Sequence, residues 1–209
     1  MKPIVVINFK TYKQGKNAIK LAKQLSKINK NIILGIQASD IKEIKKAVNV
    51  KIFSQHIDWQ KQGRATGFML PEAIKSDRAD GTFLNHSEHK LKFSILKKTI
   101  ARCKQVGLKT LVFASSMQEA KKIKKLKPTY LAFEPPELVA GKISVSEAKP
   151  ELIKKISKQL KAKFLVGAGI HTKKDVETAM ELGASGIAVS SAIVLAKNPG
   201  KKLRELLNA

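Results

Sequence analysis

The sequence predicts an α/β protein, a (β/α)8 barrel in a single domain over residues 1–209. Three observations carry that expectation. Short apolar runs rich in Ile, Val and Phe alternate with longer amphipathic stretches rich in Lys, Ala and Leu, the rhythm of strands joined by crossover helices. The runs are continuously apolar, as strands buried on both faces are, and helical crossovers imply parallel pairing with right-handed connections. Eight such runs occur, which suggests closure. An open doubly wound sheet is less economical, because no Gly-x-Gly-x-x-Gly follows the first run and no composition break divides the chain.

The first strand is "IVVIN" from Ile4, followed by a helical stretch over 17–28. "IILGI" from Ile32 leads into 40–48, and "VKIFS" from Val50 into a longer loop and a short helix at 70–76. "GTFLN" from Gly81 precedes a helix expected over 89–106, where Leu91, Ile95, Leu96 and Thr99 share one face and Lys90, Lys97 and Lys98 fall largely off it. "TLVFA" from Thr110 precedes 117–126, and "YLAFE" from Tyr130 precedes 146–160. "FLVGA" from Phe164 precedes 172–182, and "GIAVS" from Gly186 precedes a last pair of helices within 192–207. At 209 residues the barrel is more compact than the usual ~250, so loops and helices must be short.

Composition narrows the class further. An apolar share of 43% with 27% charged residues suits a soluble globular protein, and no apolar run approaches the roughly 18 residues of a membrane span. The start "MKPIVVINFKTYKQG" has an apolar run interrupted by Asn8 and Lys10 and no small-residue cleavage site, so a mature cytoplasmic protein is expected. Cys103 is the one cysteine; it excludes an internal disulfide, a zinc cluster and a redox pair, and reads as a buried or half-buried helix residue. Lys+Arg 41 against Asp+Glu 16 gives a net charge of +25. Three readings of that charge stay open: a solvated lysine surface, steering of an anionic substrate, and nucleic-acid binding. Lysines spread over nearly every helix and aromatics at 5% weigh against nucleic acid, because both a basic arm and stacking platforms are lacking.

In such barrels chemistry gathers where strands end at their carboxyl side. Strand one ends in Asn8 and Lys10, strand four in Asn85 and His86, strand six in Glu134, strand seven in Gly167 and Gly169, and strand eight in Ser190 and Ser191. Singly each has a plain reading, such as an exposed lysine, a turn histidine or a strand-end acid. Together they bring a cation, an imidazole, a carboxylate and two small-residue turns to one rim. "GAGIHT" and "VSSAIV" lead into helices with backbone N–H groups in front, which suits a phosphorylated ligand. A carboxylate and a histidine opposite that ligand suit proton transfer next to a carbonyl.

"INFKTY", "FLNHSEHK", "AFEPPEL", "GAGI" and "GIAVSSAIV" resemble, in order and spacing, the motifs of the triosephosphate isomerase family in its compact archaeal-type branch. "FSQHIDWQKQGRATGFMLPEAI" resembles that branch's third loop, so the likeness covers essentially the whole chain. It implies a TIM barrel interconverting dihydroxyacetone phosphate and D-glyceraldehyde 3-phosphate through an enediolate, in glycolysis and gluconeogenesis, with no metal and no organic cofactor. By resemblance, Glu134 is the base in an apolar setting supplied by Phe133 and the following loop. His86 is a neutral acid at a helix beginning, as in the family's well-known case. Lys10 supplies fixed positive charge, and Asn8 orients a substrate oxygen or Lys10. Glu88 pairs with Lys10 or caps a helix. The phosphate lies against backbone N–H groups near Val139, Gly169, Ser190 and Ser191. The resemblance also implies a homo-oligomer, dimer or tetramer, with the third loop entering a neighbour. His56 and His89 are expected away from the rim, and His171 near the phosphate without a part.

The chain departs from the branch at its lid tip, where "ELVAGK" has Ala140 for a glycine, Gly141 for a threonine and Lys142 for a glycine. Ala192 follows "VSS", and Ala114 stands where a cysteine often follows strand five. Pro135 and Pro136 stiffen the exit from Glu134. The altered tip keeps a second function open, a phosphate-binding barrel with a regulatory role.

Overall fold

The structure, a computed structural model, describes residues 3–134 and 150–207. Its strands are β1 Ile4–Asn8, β2 Ile33–Ile36, β3 Lys51–Ser54, β4 Gly81–Leu84, β5 Lys109–Ala114, β6 Tyr130–Phe133, β7 Leu165–Val166 and β8 Gly186–Val189, and they close into a parallel barrel in chain order. β8 returns to β1 with Ile4 opposite Gly186 and Ile7 opposite Val189. The described helices are α1 Gly15–Ile28, α2 Ile41–Ala47, α3 Pro71–Ser76, α4 Phe93–Gln105, α5 Met117–Lys125, α6 Pro150–Leu160, α7 Lys173–Glu181, α8 Ser191–Val194 and α9 Pro199–Leu207.

Two apolar layers explain why the strands read as unbroken hydrophobic runs. Inside the barrel pack Val6, Ile33, Phe53, Phe83, Leu111, Phe113, Ala132, Leu165 and Ala188, with all eight strands contributing. The ring of Phe83 lies where a side chain on Gly35 would stand, 2.1 Å from the nearest ring carbon, so β2 carries no side chain at that point. Phe83 and Phe113 meet edge to face at 5.5 Å, the arrangement ring quadrupoles favour. The alternate strand residues face the helices. There Ala18, Leu21, Ala22 and Leu25 bury one side of α1, at the i, i+3, i+4, i+7 spacing of an amphipathic helix, while Lys16, Lys20, Lys23 and Lys27 are exposed.

Two boundaries differ from expectation for local reasons. The helix expected from residue 89 begins at Phe93, because the Leu91 N–H is taken by Asn85 Oδ1 at 3.0 Å and Lys92 is extended (φ −58°, ψ 138°). Strand seven has only Leu165 and Val166 in regular form; its remaining residues turn at Gly169 (φ +71°) to build the rim. The start of the helix expected over 146–160 lies outside the described residues. Cys103 is buried on α4, and burial pushes its thiol up to about 12. Among the described residues, no helix is long and apolar enough to cross a membrane.

Candidate active site

β1 delivers Asn8 to the rim, where it is almost wholly buried, and Lys10 follows in the left-handed region (φ +46°). That conformation is costly for a residue with a side chain, and two neighbours hold it. Asn8 Oδ1 accepts the Lys10 N–H at 2.9 Å, and Gln55 Nε2 donates to the Lys10 carbonyl at 2.8 Å. Gln55 also reaches Asn8 Oδ1 and the Gly35 carbonyl, each at 3.3 Å. The Lys10 ammonium then meets Glu88 Oε1 at 2.5 Å. Asn8 thus holds the Lys10 backbone, and Glu88 pairs with its charge.

His86 lies two residues after β4 ends and seven before α4 begins. Burial is the main cause lowering its pKa to about 4; the Glu88 charge opposes this, and Lys10 and Lys90 add to it. Its Nδ1 accepts the Glu88 N–H at 3.2 Å, which leaves the proton of the neutral ring on Nε2. The ring stands edge-on to Phe113 with centroids 4.8 Å apart. Nε2 faces Glu134 Oε1 at 3.5 Å, too long for a firm hydrogen bond but close enough for one small group to meet both.

Glu134 follows β6, its N–H bonded to the Ala114 carbonyl at 2.8 Å. The side chain is buried, and its Oε2 has no hydrogen-bond partner among the described residues. Burial raises its pKa from 4.5 to about 7, opposed by Ser87 and by the charges of Lys10 and Lys90. Phe133 belongs to the layer between barrel and helices, so its ring is not the shield expected for the base. Phe113, Ala168, Ile170 and Ala188 line the cavity instead. Ala114 likewise packs outward, and its carbonyl accepts the Glu134 N–H. Gly167 makes room for the carboxylate: a Cβ there would lie 2.5 Å from Glu134 Cγ.

The cavity holds about 200 Å³ and brings together Asn8, Lys10, His86, Glu134, Gly169, Ser190 and Ser191. Val139, Ala140, Gly141 and Lys142, with Pro135 and Pro136, lie outside the described residues. The turns before the last helices are not alike. Asp175 Oδ2 accepts the His171 N–H at 2.9 Å and the Thr172 N–H at 2.8 Å, so that carboxylate fixes the turn that enters α7 from Gly169. Ser190 does not cap α8; its hydroxyl donates to the Asn8 carbonyl at 2.8 Å. His171 lines the cavity, and among the described residues its buried Nε2 has no hydrogen-bond partner.

His56 and His89 are nearer the site than expected. Their rings stack at 4.3 Å, His56 Nε2 lies 3.2 Å from Asp58 Oδ1, and burial lowers the His56 pKa. Both line a second cavity of about 400 Å³ that shares Asn8, Lys10 and His86 with the first. Sequence reasoning passed over Phe113 and Gln55. Alternation along β5 would have found Phe113, since 111 and 113 face one way; Gln55 carried no signal beyond following a strand.

A cation, an imidazole with its proton directed into the site, and a carboxylate of raised pKa can move a proton between carbon and oxygen of a small anionic molecule. Comparison with known proteins agrees with that chemistry. The model of the triosephosphate isomerase family matches residues 3–209. The triosephosphate isomerase of Methanocaldococcus jannaschii is 38% identical, with 98% of each chain covered. That of Methanothermus fervidus is 36% identical over 99% of this chain and 98% of its own, and that of Saccharolobus solfataricus 36% identical over 99% and 96%. With eight strands closed in order around this rim, and with likeness along nearly its whole length, the chain belongs to the triosephosphate isomerase family.

Proposed function

We propose that the protein interconverts dihydroxyacetone phosphate and D-glyceraldehyde 3-phosphate through an enediolate, serving glycolysis and gluconeogenesis in the cytoplasm, and that residues 1–209 act as one domain. The observation that carries the reading is the pair formed by Glu134 and His86. A carboxylate raised to about 7 and an imidazole lowered to about 4 face each other at 3.5 Å, which makes one a base at neutral pH and the other an uncharged donor.

Glu134 removes the proton from the carbon beside the carbonyl and returns it to the neighbouring carbon. His86 Nε2–H polarises the carbonyl and exchanges protons with the two substrate oxygens. Lys10 stabilises the negative charge that develops on them, where a preplaced cation in a site of low dielectric acts most strongly. Asn8 fixes Lys10, and the phosphate rests on backbone N–H groups at Val139, Gly169, Ser190 and Ser191. Both isomers stand at one oxidation level, so the step needs no electron carrier.

A homo-oligomer follows from the same reading. Tyr12 beside the larger cavity and Phe68 in the third loop are large apolar side chains that are 44% and 49% exposed, and we take the loop of a second copy as the occupant of that cavity. Light scattering of the wild type and of Phe68→Asp tests this; a monomeric wild type overturns it. The activity itself is tested in a coupled isomerisation assay on the wild type and Glu134→Gln. A loss of turnover on substitution supports the assignment of the base. Tight binding of a phosphorylated enediolate analogue by a wild type without turnover would replace it with a binding role.

A further inference from the structure

Glu119 lies on the first turn of α5 and touches neither cavity, yet its carboxylate collects donors from both loops beside the site. Asn85 Nδ2 reaches Oε1 at 2.7 Å, and Lys90 Nζ reaches both oxygens at 2.9 Å. The Ser115 N–H and hydroxyl reach Oε2 at 2.7 and 2.9 Å. Asn85 and Lys90 flank the turn that presents His86, so one carboxylate pins both ends of that turn. Asn85 itself sits in the left-handed region (φ +59°). It donates to the Phe113 carbonyl at 2.9 Å and accepts the Leu91 N–H at 3.0 Å. This ties the turn to the strand whose Phe113 ring packs against His86.

Helix capping does not account for the arrangement. The cap of α5 is Ser116, whose hydroxyl accepts the Glu119 N–H at 3.1 Å, while the Glu119 side chain, besides holding Ser115 ahead of that cap, reaches across to Asn85 and Lys90. Burial works against its charge, but the Ser115 amide, Lys90, Asn85 and the Ser115 hydroxyl together hold its pKa below the usual carboxylate range. A carboxylate with donors on every side is strongly oriented.

We propose that Glu119 is a positioning residue for the isomerisation: through Asn85 and Lys90 it holds the turn that aims His86 Nε2 at the substrate oxygens. This rests on the function proposed above. Small displacements of a reacting group cost rate more than binding, so Glu119→Gln should lower kcat about 10-fold and change KM by less than about twofold. Asn85→Gly keeps the left-handed backbone accessible and deletes the side-chain bonds. The double variant Asn85→Gly with Glu119→Gln should lose no more than the worse single variant, because residues acting along one chain of contacts are not additive.

The experiment measures kcat and KM for these three variants, with ¹⁵N imidazole spectra of His86 in each. Ser116→Ala removes the α5 cap alone and serves as the structural control, lowering the melting temperature with kcat unchanged. The expected result is a kcat loss confined to the Asn85 and Glu119 variants, with a fixed Nε2–H tautomer in the wild type and averaged ring nitrogens in Glu119→Gln. If Glu119→Gln does not fold, Lys90→Met takes its place, with the same tautomer averaging and a smaller loss of kcat expected. Unchanged kcat and an unchanged His86 spectrum in the folded variant, or additive losses in the double variant, overturn the proposal. A wild type without turnover would instead overturn the isomerase reading, and the spectra would still report whether Glu119 orders His86.

Discussion

Gly167 and Glu134 share a space that only a hydrogen atom can fill. A methyl carbon on Gly167 would stand 2.5 Å from Glu134 Cγ and 3.2 Å from Oε1, well inside van der Waals contact. The Glu134 carboxylate that follows β6 is thus placed as much by the missing side chain after β7 as by its own backbone. Gly167→Ala should push the carboxylate away from the substrate and lower kcat by about 10²-fold, with KM much less affected. Steady-state kinetics on the folded variant provide the check; kcat within about twofold of the wild type would mean that the contact does not set the base.

Titration gives a second prediction. The unfolded chain releases the Glu134 proton near 4.5 and the folded chain near 7. Between those values the folded state binds the extra proton, so stability falls as pH rises through the window. Glu134→Gln removes this, and the variant should gain on the wild type from pH 5 to pH 8 by at most on the order of 3 kcal/mol. His86 runs the other way, since its pKa falls from 6.5 to about 4 and its contribution is lost as pH falls through that range. Urea melts at both pH values measure the difference for Glu134, and kcat/KM should show an acid limb near 7. A stability difference between variant and wild type that stays the same from pH 5 to pH 8 would refute the raised Glu134 pKa.

Gln55 gives a third. Its amide holds the carbonyl of Lys10 at 2.8 Å while Lys10 keeps a positive φ of 46°, a strained geometry of the kind that persists only when neighbours impose it. Gln55→Ala should let Lys10 relax and reduce kcat/KM about tenfold, with little change in melting temperature. Kinetics and a thermal melt on the same preparation separate this from general destabilisation.

The net charge of +25 should act on the rate of encounter with a dianionic substrate. Raising ionic strength about tenfold should lower kcat/KM several-fold and leave kcat unchanged, because screening weakens long-range attraction and leaves the bound geometry alone. A flat salt profile would reduce the lysines to surface chemistry.

The barrel was legible because strands buried on both sides must be continuously apolar, and because a strand that ends in Asn8, His86 or Glu134 announces a change of environment. What stayed hidden depends on contacts across the chain. Phe133 reads as the neighbour of the base, yet alternation turns it to the helices and brings Phe113 to His86 instead. The sequence "NHSEHKLK" reads as the start of a helix, but Asn85 captures the Leu91 amide and delays the helix to Phe93. "GAGIHT" and "VSSAIV" look equivalent as turns, yet Asp175 takes the His171 and Thr172 amides of the first while the Ser190 hydroxyl of the second turns to the Asn8 carbonyl. Gln55 and Glu119 act through partners 45 and 34 residues away, a separation that local pattern cannot report.

The role of Glu134 is decided most directly by running the isomerisation in deuterium oxide and reading deuterium at carbon by NMR, for the wild type and for folded Glu134→Gln. A carboxylate that carries the proton between neighbouring carbons exchanges it with solvent during the enediolate's lifetime. The wild type should therefore build deuterium into product and recovered substrate, and the variant should lose that incorporation together with turnover. Incorporation at the wild-type rate in Glu134→Gln would contradict the assignment and place the base elsewhere on the rim.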